Sequence, residues 1–280
     1  MKWSIVADSS CDLFERDIAC EDIGFTAIPF VMQIGDREYV DDEALDTGEM
    51  LVCMESCRTA PRTACPSPGR WCEAFVRAER SIAITISARL SGSHNSAMKG
   101  MELALEEHPE KDIAVLDSCS TGPETAMCIR KMKEWITAGH SMESVLRMAK
   151  LFLERTHTVF ALCSFDNLVK NGRMSRIAGF VARSFGMWGI GVGTDEGEIR
   201  IKGKTRGVSG ALKIILQDMR ENGFTGGEVA ISHCHNESAA LSLRDAIKSV
   251  WEQSAVTVMP TRGLDSFYAE RGGIIVGYIT

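Results

Sequence analysis

A chain of 280 residues that is 45% hydrophobic and 25% charged can bury a sizeable core, which excludes a disordered or fibrous protein. Its formal net charge of −7, with a pI near 5.5 and no block of lysine and arginine, argues against nucleic acid or another polyanion as partner. No apolar run approaches the ~18 residues of a spanning helix, and Met1-Lys2-Trp3 leads straight into a strand pattern, so a cytoplasmic location without an integral membrane segment is expected.

In chain order, Lys2 to Ala7 reads as a strand ending in the polar run Asp8-Ser9-Ser10-Cys11-Asp12. Phe25 to Ile34 reads as one further strand, turned by Gly35-Asp36, with Glu38 to Val40 pairing back. Asp46 caps a helix to about Cys57 that turns Met50, Leu51 and Met54 inward. Pro66 holds Cys65 extended, and Ser67-Pro68 starts the next helix, so Thr63 lies on a stiff, exposed segment. The strand Ser81 to Ser87 then runs through Leu90-Ser91-Gly92-Ser93 into a helix whose apolar positions Ala97, Met98, Met101, Ala104 and Leu105 share a face. Backbone N–H groups and serine hydroxyls at such a junction favour a phosphate or carboxylate, although Ser91 or Ser93 could equally be a plain N-cap and Thr63 a turn residue.

Ile113 to Leu116 is another strand with a hydroxyl-rich end, Asp117 to Gly122. Helices from about Glu124 to Thr137 and from Ser141 to about Arg155 come next. The second half changes texture. A strand at Val159 to Cys163 and a short helix at Ser164 to Val169 precede a helical pattern from Ile177 to Trp188. Ile190 to Gly193, the turn Asp195-Glu196-Gly197 and Glu198 to Lys202 then form a hairpin. A helix to Arg220, a strand at Glu228 to Cys234, a helix to Trp251, and strands at Val256 to Met259 and Ile274 to Ile279 close the chain. The expected fold is α/β in two domains, a mostly parallel sheet domain over 1–156 and an α+β domain over 157–280.

Several motifs fall away. The glycines of Gly189-x-Gly191-x-Gly193 are at the wrong offset for a dinucleotide fingerprint, and a strand comes after them where a helix is needed. His233 and His235 alternate with Cys234 across a strand and have no further ligand. Ten cysteines are scattered without a CxxC pair, which fits reduced thiols and gives no metal or cofactor site. Ser91, Ser93 and His94 stand close in sequence but lack the G-x-S-x-G elbow of a serine hydrolase.

Taken in order, six segments resemble the DegV family of bacterial fatty-acid-binding proteins. They are Ile5 to Leu13, Thr63 to Ser67, Ile84 to Ser93, Val115 to Ser118, Lys170 to Ser175, and Lys204 to Gly207. The resemblance implies a two-domain α/β protein that binds a long-chain fatty acid between its domains and presents the carboxylate to a fatty acid kinase, without catalysis of its own. The family's carboxylate-holding hydroxyls fall on Thr63 and Ser91, with Gly92 and Ser93 beside them. Its kinase-docking arginine falls on Arg206. Tyr268 stands where the family carries histidine, and a phenol can still donate a hydrogen bond. Ile177, Phe180, Val181, Phe185 and Met187 are the expected acyl-chain contacts. A serine-dependent esterase and a binder of a small phosphorylated metabolite are the two other readings.

Overall fold

The computed structural model describes residues 2–174 and 186–280. In chain order its first half comprises β1 (Trp3–Asp8), a 3-10 turn (Ser9–Cys11), α1 (Glu15–Ile18), β2 (Ile23–Ile28), β3 (Val31–Ile34), β4 (Arg37–Val40), α2 (Thr47–Ser56), β5 (Arg62–Ala64), α3 (Pro68–Phe75), β6 (Arg80–Thr85), α4 (Ser93–Glu107), β7 (Asp112–Asp117), α5 (Gly122–Thr137) and α6 (Met142–Leu153). The second half comprises β8 (Thr156–Leu162), α7 (Asp166–Lys170), β9 (Met187–Gly193), β10 (Ile199–Arg206), α8 (Val208–Glu221), β11 (Glu228–His233), α9 (Glu237–Val250), β12 (Ala255–Pro260), α10 (Gly263–Ala269) and β13 (Ile274–Ile279).

β1 is buried at all six positions, as suits the inner strand of a sheet covered on both faces. The first sheet is parallel in the order β2-β1-β6-β7. On one face Val6, Ile28 and Ala83 pack on Trp71 and Phe75 of α3 and Ala97 and Ala104 of α4. On the other, Ile5, Ile23, Ile82 and Ile84 pack on Ile129, Met132 and Ile136 of α5 and Val145 and Phe152 of α6. The second sheet is mixed, in the order β10-β9-β8-β13-β11-β12, and α8 and α9 cover one of its faces. A small antiparallel sheet, β4-β3-β5, packs with α2 and α10 against the other face through Phe30, Met32, Phe160, Leu162, Leu264, Phe267 and Ile275.

The two-domain α/β expectation is met; the position proposed for the division, 156/157, lies in the first residues of β8. Two local expectations are corrected. The single strand over Phe25 to Ile34 is two strands in different sheets, because Pro29 has no N–H to donate to a ladder and Phe30 N–H turns to Ser9 Oγ at 3.0 Å. Met187 and Trp188 belong to β9 rather than to a helix, since tertiary pairing with β10 overrides the local pattern. Ile177, Phe180, Val181 and Phe185 lie outside the described residues.

One glycine in the second sheet sets the position of an aromatic ring. Gly191 lies opposite Phe160 in the β8–β9 register, and a Cβ there would stand 2.3 Å from the Phe160 ring. Its absence lets that ring lie across the neighbouring strand.

Candidate functional site

β1 connects to β2 on one side, while β6 lies on its other side, so the strand order reverses between β1 and β6. In open α/β sheets ligands bind in the crevice at that point, outside the carboxyl ends of the strands. Here Asp8 holds the crevice together. Its carboxylate accepts from Ser10 Oγ (2.5 Å), Ser93 Oγ (2.6 Å) and the Ile86 N–H (3.1 Å). Asp117, ending β7, accepts from the N–H groups of Ala88 (3.2 Å) and Cys119 (2.9 Å). The loop between them reaches the second sheet, where Ser87 Oγ donates to Gly197 O at 2.7 Å.

Between the strand ends and the second sheet lies a partly open cavity. Phe30, Ile86, Phe160, Leu162, Leu168 and Ile275 make much of its wall. Thr158, Phe160 and Leu162 all line it, while Val159 and Ala161 enter the opposite core, because successive β8 side chains alternate faces.

One end of the cavity is polar. Thr63 on β5 and Tyr268 on α10 join through a 3.0 Å hydrogen bond between their hydroxyls. Ser91 lines the same cavity and is half-buried, its Oγ accepting from the Ser93 N–H at 3.2 Å. Arg173 completes the group. Its Nε donates to Leu90 O at 3.0 Å, one Nη donates to Asn171 O at 2.5 Å, and the guanidinium lies 5.9 Å from the Tyr268 ring centre. Burial raises the Tyr268 phenol, against the Thr63 hydrogen bond and the Arg173 charge, so it remains a neutral donor at neutral pH. Three hydroxyls beside a guanidinium have the chemistry to hold an anion such as a carboxylate.

Of the residues expected from sequence, Thr63, Ser91 and Tyr268 meet in this cavity. Gly92 is the exposed N-cap of α4, and the Ser93 hydroxyl is committed to Asp8. Met187 pairs with Arg206 and is not a lining residue. Arg206 is exposed at the end of β10. Sequence reasoning leaves Arg173 open between a partner or phosphate contact and solvated surface charge, although it lies within the Lys170 to Ser175 motif. It misses Asp265 and Thr158, because neither stands in a local motif.

Asp265 lines the cavity and is tied to Asp12. Both are buried, and the Oδ2 atom of neither has a conventional donor among the described residues. The two Oδ2 atoms meet at Gly122, where a Cβ would stand 2.6 Å from Asp265 Oδ2 and 3.4 Å from Asp12 Oδ2. Gly122 also has φ +56°, so glycine is needed there twice over. Two buried carboxyls facing one glycine repel each other when both are ionised, which favours one of them holding a proton. Burial, the largest influence, and mutual repulsion hold Asp265 well above the ordinary carboxylate range; burial raises Asp12 to about 7, against its hydrogen bond from the Arg262 N–H.

The pair therefore makes stability depend on pH. The unfolded chain releases these protons near pH 4 while the folded pair retains them, so stability falls as pH rises from about 4 to about 7. Asp12→Asn replaces the retained proton with a fixed N–H donor, and asparagine tolerates the φ of +57° at this position. The fall in melting temperature between pH 5 and pH 8 should be smaller in Asp12→Asn than in the native chain. Parallel curves for the two proteins would rule out the retained proton.

Residues 2–279 match a family model described as "Uncharacterised protein, DegV family". A DegV domain-containing protein of Streptococcus pneumoniae, spr0652, is 34% identical over 278 residues, with 99% of each chain covered. Among solved structures, the Streptococcus pneumoniae Fatty Acid Kinase (Fak) B3 protein loaded with linoleic acid superposes with a TM-score of 0.96 at 34% identity, covering 100% of this chain and 99% of that one. A DegV family protein from Eubacterium eligens loaded with heptadecanoic acid gives 0.94 at 33% identity, covering 99% of each chain.

Proposed function

The chain belongs to the DegV family, and from that membership we propose that it holds one long-chain fatty acid in the cavity between its sheets and presents the carboxylate to a partner kinase. The observation that carries this reading is the cavity itself, whose largely apolar wall also includes Thr63, Ser91, Tyr268 and Arg173. An apolar chain with one anionic end matches that distribution. The linoleic acid and heptadecanoic acid held by the two similar structures support it.

The magnitudes divide the work. Each buried methylene contributes about 0.8 kcal/mol, so a fourteen-methylene chain gains roughly 11 kcal/mol before ordering costs. A hydrogen bond to a charged group contributes about 1.5–3 kcal/mol. The chain dominates affinity, while the hydroxyls and Arg173 fix where the carboxylate stands. The description of the Streptococcus pneumoniae structure as part of a fatty acid kinase supports a kinase as the recipient, with acyl phosphate as its product. Exposed Arg206 is the proposed docking residue, away from the lipid wall.

Other features favour binding over nucleophilic chemistry. His94 directs Nδ1 to Thr85 Oγ1 at 3.2 Å, and Ser93 gives its proton to Asp8. An activated serine needs a base aimed at it. The apolar wall in turn favours an acyl chain over a phosphorylated metabolite.

Two substitutions separate binding from presentation. Ser91→Ala should still bind close to one equivalent of palmitate, while the NMR signal of a carboxyl-¹³C label in the bound acid shifts and broadens. Arg206→Ala should retain lipid and the native carboxyl signal but lower acyl-phosphate formation by the kinase. Complete loss of lipid in Ser91→Ala would refute this division of labour, and unchanged acyl-phosphate formation in Arg206→Ala would refute the docking role.

A further inference from the structure

Part of the cavity wall is polar although it stands apart from the carboxylate site. Ser120 and Thr121, between β7 and α5, Thr158 on β8 and Asp265 on α10 all line it. They meet in pairs, with Ser120 Oγ 3.1 Å from Thr158 Oγ1 and Thr121 Oγ1 3.1 Å from Asp265 Oδ1. Ser120, Thr158 and Asp265 are buried. An acyl chain filling the cavity would therefore displace water from them.

The hydroxyl protons of this belt are already committed. Ser120 donates to Glu124 Oε2 at 2.7 Å, Thr158 donates to the same oxygen, and Thr121 donates to Asp265. A hydroxyl has one proton and two lone pairs, so what these oxygens still offer is acceptance. A methylene laid against the belt gives them no donor, and buried acceptors without donors weaken binding. A keto or epoxy group would bring only further acceptors. A cis double bond brings no donor either.

We propose that the belt reads a hydroxyl carried along the acyl chain, so that the preferred ligand is a hydroxylated long-chain fatty acid. This rests on the fatty-acid reading above and specifies its substrate class. Asp265 precedes Tyr268 by three residues on α10, a backbone rise of ~4.5 Å along the helix axis, so the belt begins about one helical turn from the tyrosine. The recognised hydroxyl therefore lies beyond C2.

The test uses the full-length protein stripped of lipid and a set of octadecanoic acids, one unsubstituted and the others hydroxylated at single positions from C2 to C17. Dissociation constants are measured by displacement of a fluorescent fatty acid. One isomer hydroxylated beyond C2 should bind about tenfold tighter than octadecanoic acid, as a single buried hydrogen bond predicts, while the C2 and C17 isomers gain nothing. Thr121→Val and Thr158→Val should each bring that ratio towards one. If octadecanoic acid binds at least as tightly as every isomer, the belt serves bound water and the inference fails while the fatty-acid reading stands. If no acid binds at all, the reading beneath it fails too. The isomer series on the native chain decides the matter even if a valine variant does not fold.

Discussion

Asp41→Ala is expected to destabilise the protein by about 3–5 kcal/mol and to loosen the carboxylate site with it. Asp41 comes directly after β4 and is 1% exposed. Its carboxylate accepts the first two N–H groups of α10, Gly263 at 2.8 Å and Leu264 at 2.9 Å, and lies 3.5 Å from Arg262 Nε. The Arg262 guanidinium donates to Leu13 O at 2.6 Å and to Asp41 O, and stacks 4.4 Å from the Phe14 ring centre. Removing the carboxylate leaves a buried cation and two helix-start donors without their partner. Because α10 carries Asp265 and Tyr268, the loss reaches the site. The control is Glu43→Ala, which breaks the Glu43–Arg16 pair at 3.5 Å, where the two side chains are 60% and 64% exposed. That pair should contribute under about 1 kcal/mol. Urea unfolding of both variants measures the contrast; a change under about 1 kcal/mol in Asp41→Ala would mean that α10 is not anchored through this carboxylate.

Shortening the fatty acid from sixteen to ten carbons is expected to weaken binding by about 5 kcal/mol, between three and four orders of magnitude. Six methylenes leave the apolar wall while the proposed head-group contacts at Thr63, Ser91, Tyr268 and Arg173 remain. Calorimetric titration of lipid-free protein with a series of saturated acids would give the slope per methylene. A nearly flat series would mean that the head group governs affinity, and would favour a small anionic ligand instead.

Much of the frame is legible in the sequence because its signals are local. Asp46 accepts from the Gly48 and Glu49 N–H groups as an N-cap should, and Met50, Leu51 and Met54 are buried behind it. Ser67-Pro68 starts α3 as the Ser-Pro pair predicts. The strands β6 and β7 carry the hydroxyl-rich ends that line the cavity. Thr63 and Ser91 are each visible as an accessible hydroxyl, but nothing in the sequence alone joins them. They meet because β5 pairs with β3 and because α10 brings Tyr268 to Thr63.

The helix that does this has no clear signal of its own. α10 has seven residues and begins with glycine, a weak pattern. Asp41 caps it from 222 residues away, and Asp12 accepts the Arg262 N–H from 250 residues away. Arg173 is hidden for a related reason: a cation in a loop reads as surface until the fold sets it over a tyrosine ring and against Leu90 O.

Whether the cavity holds one long-chain fatty acid is tested most directly by native mass spectrometry of the purified full-length chain, with its organic extract identified by a second mass measurement. One long-chain acid per chain is expected, either carried through purification or taken up when acids of twelve to twenty carbons are offered to stripped protein. A protein that emerges without lipid and takes up none of those acids would contradict it.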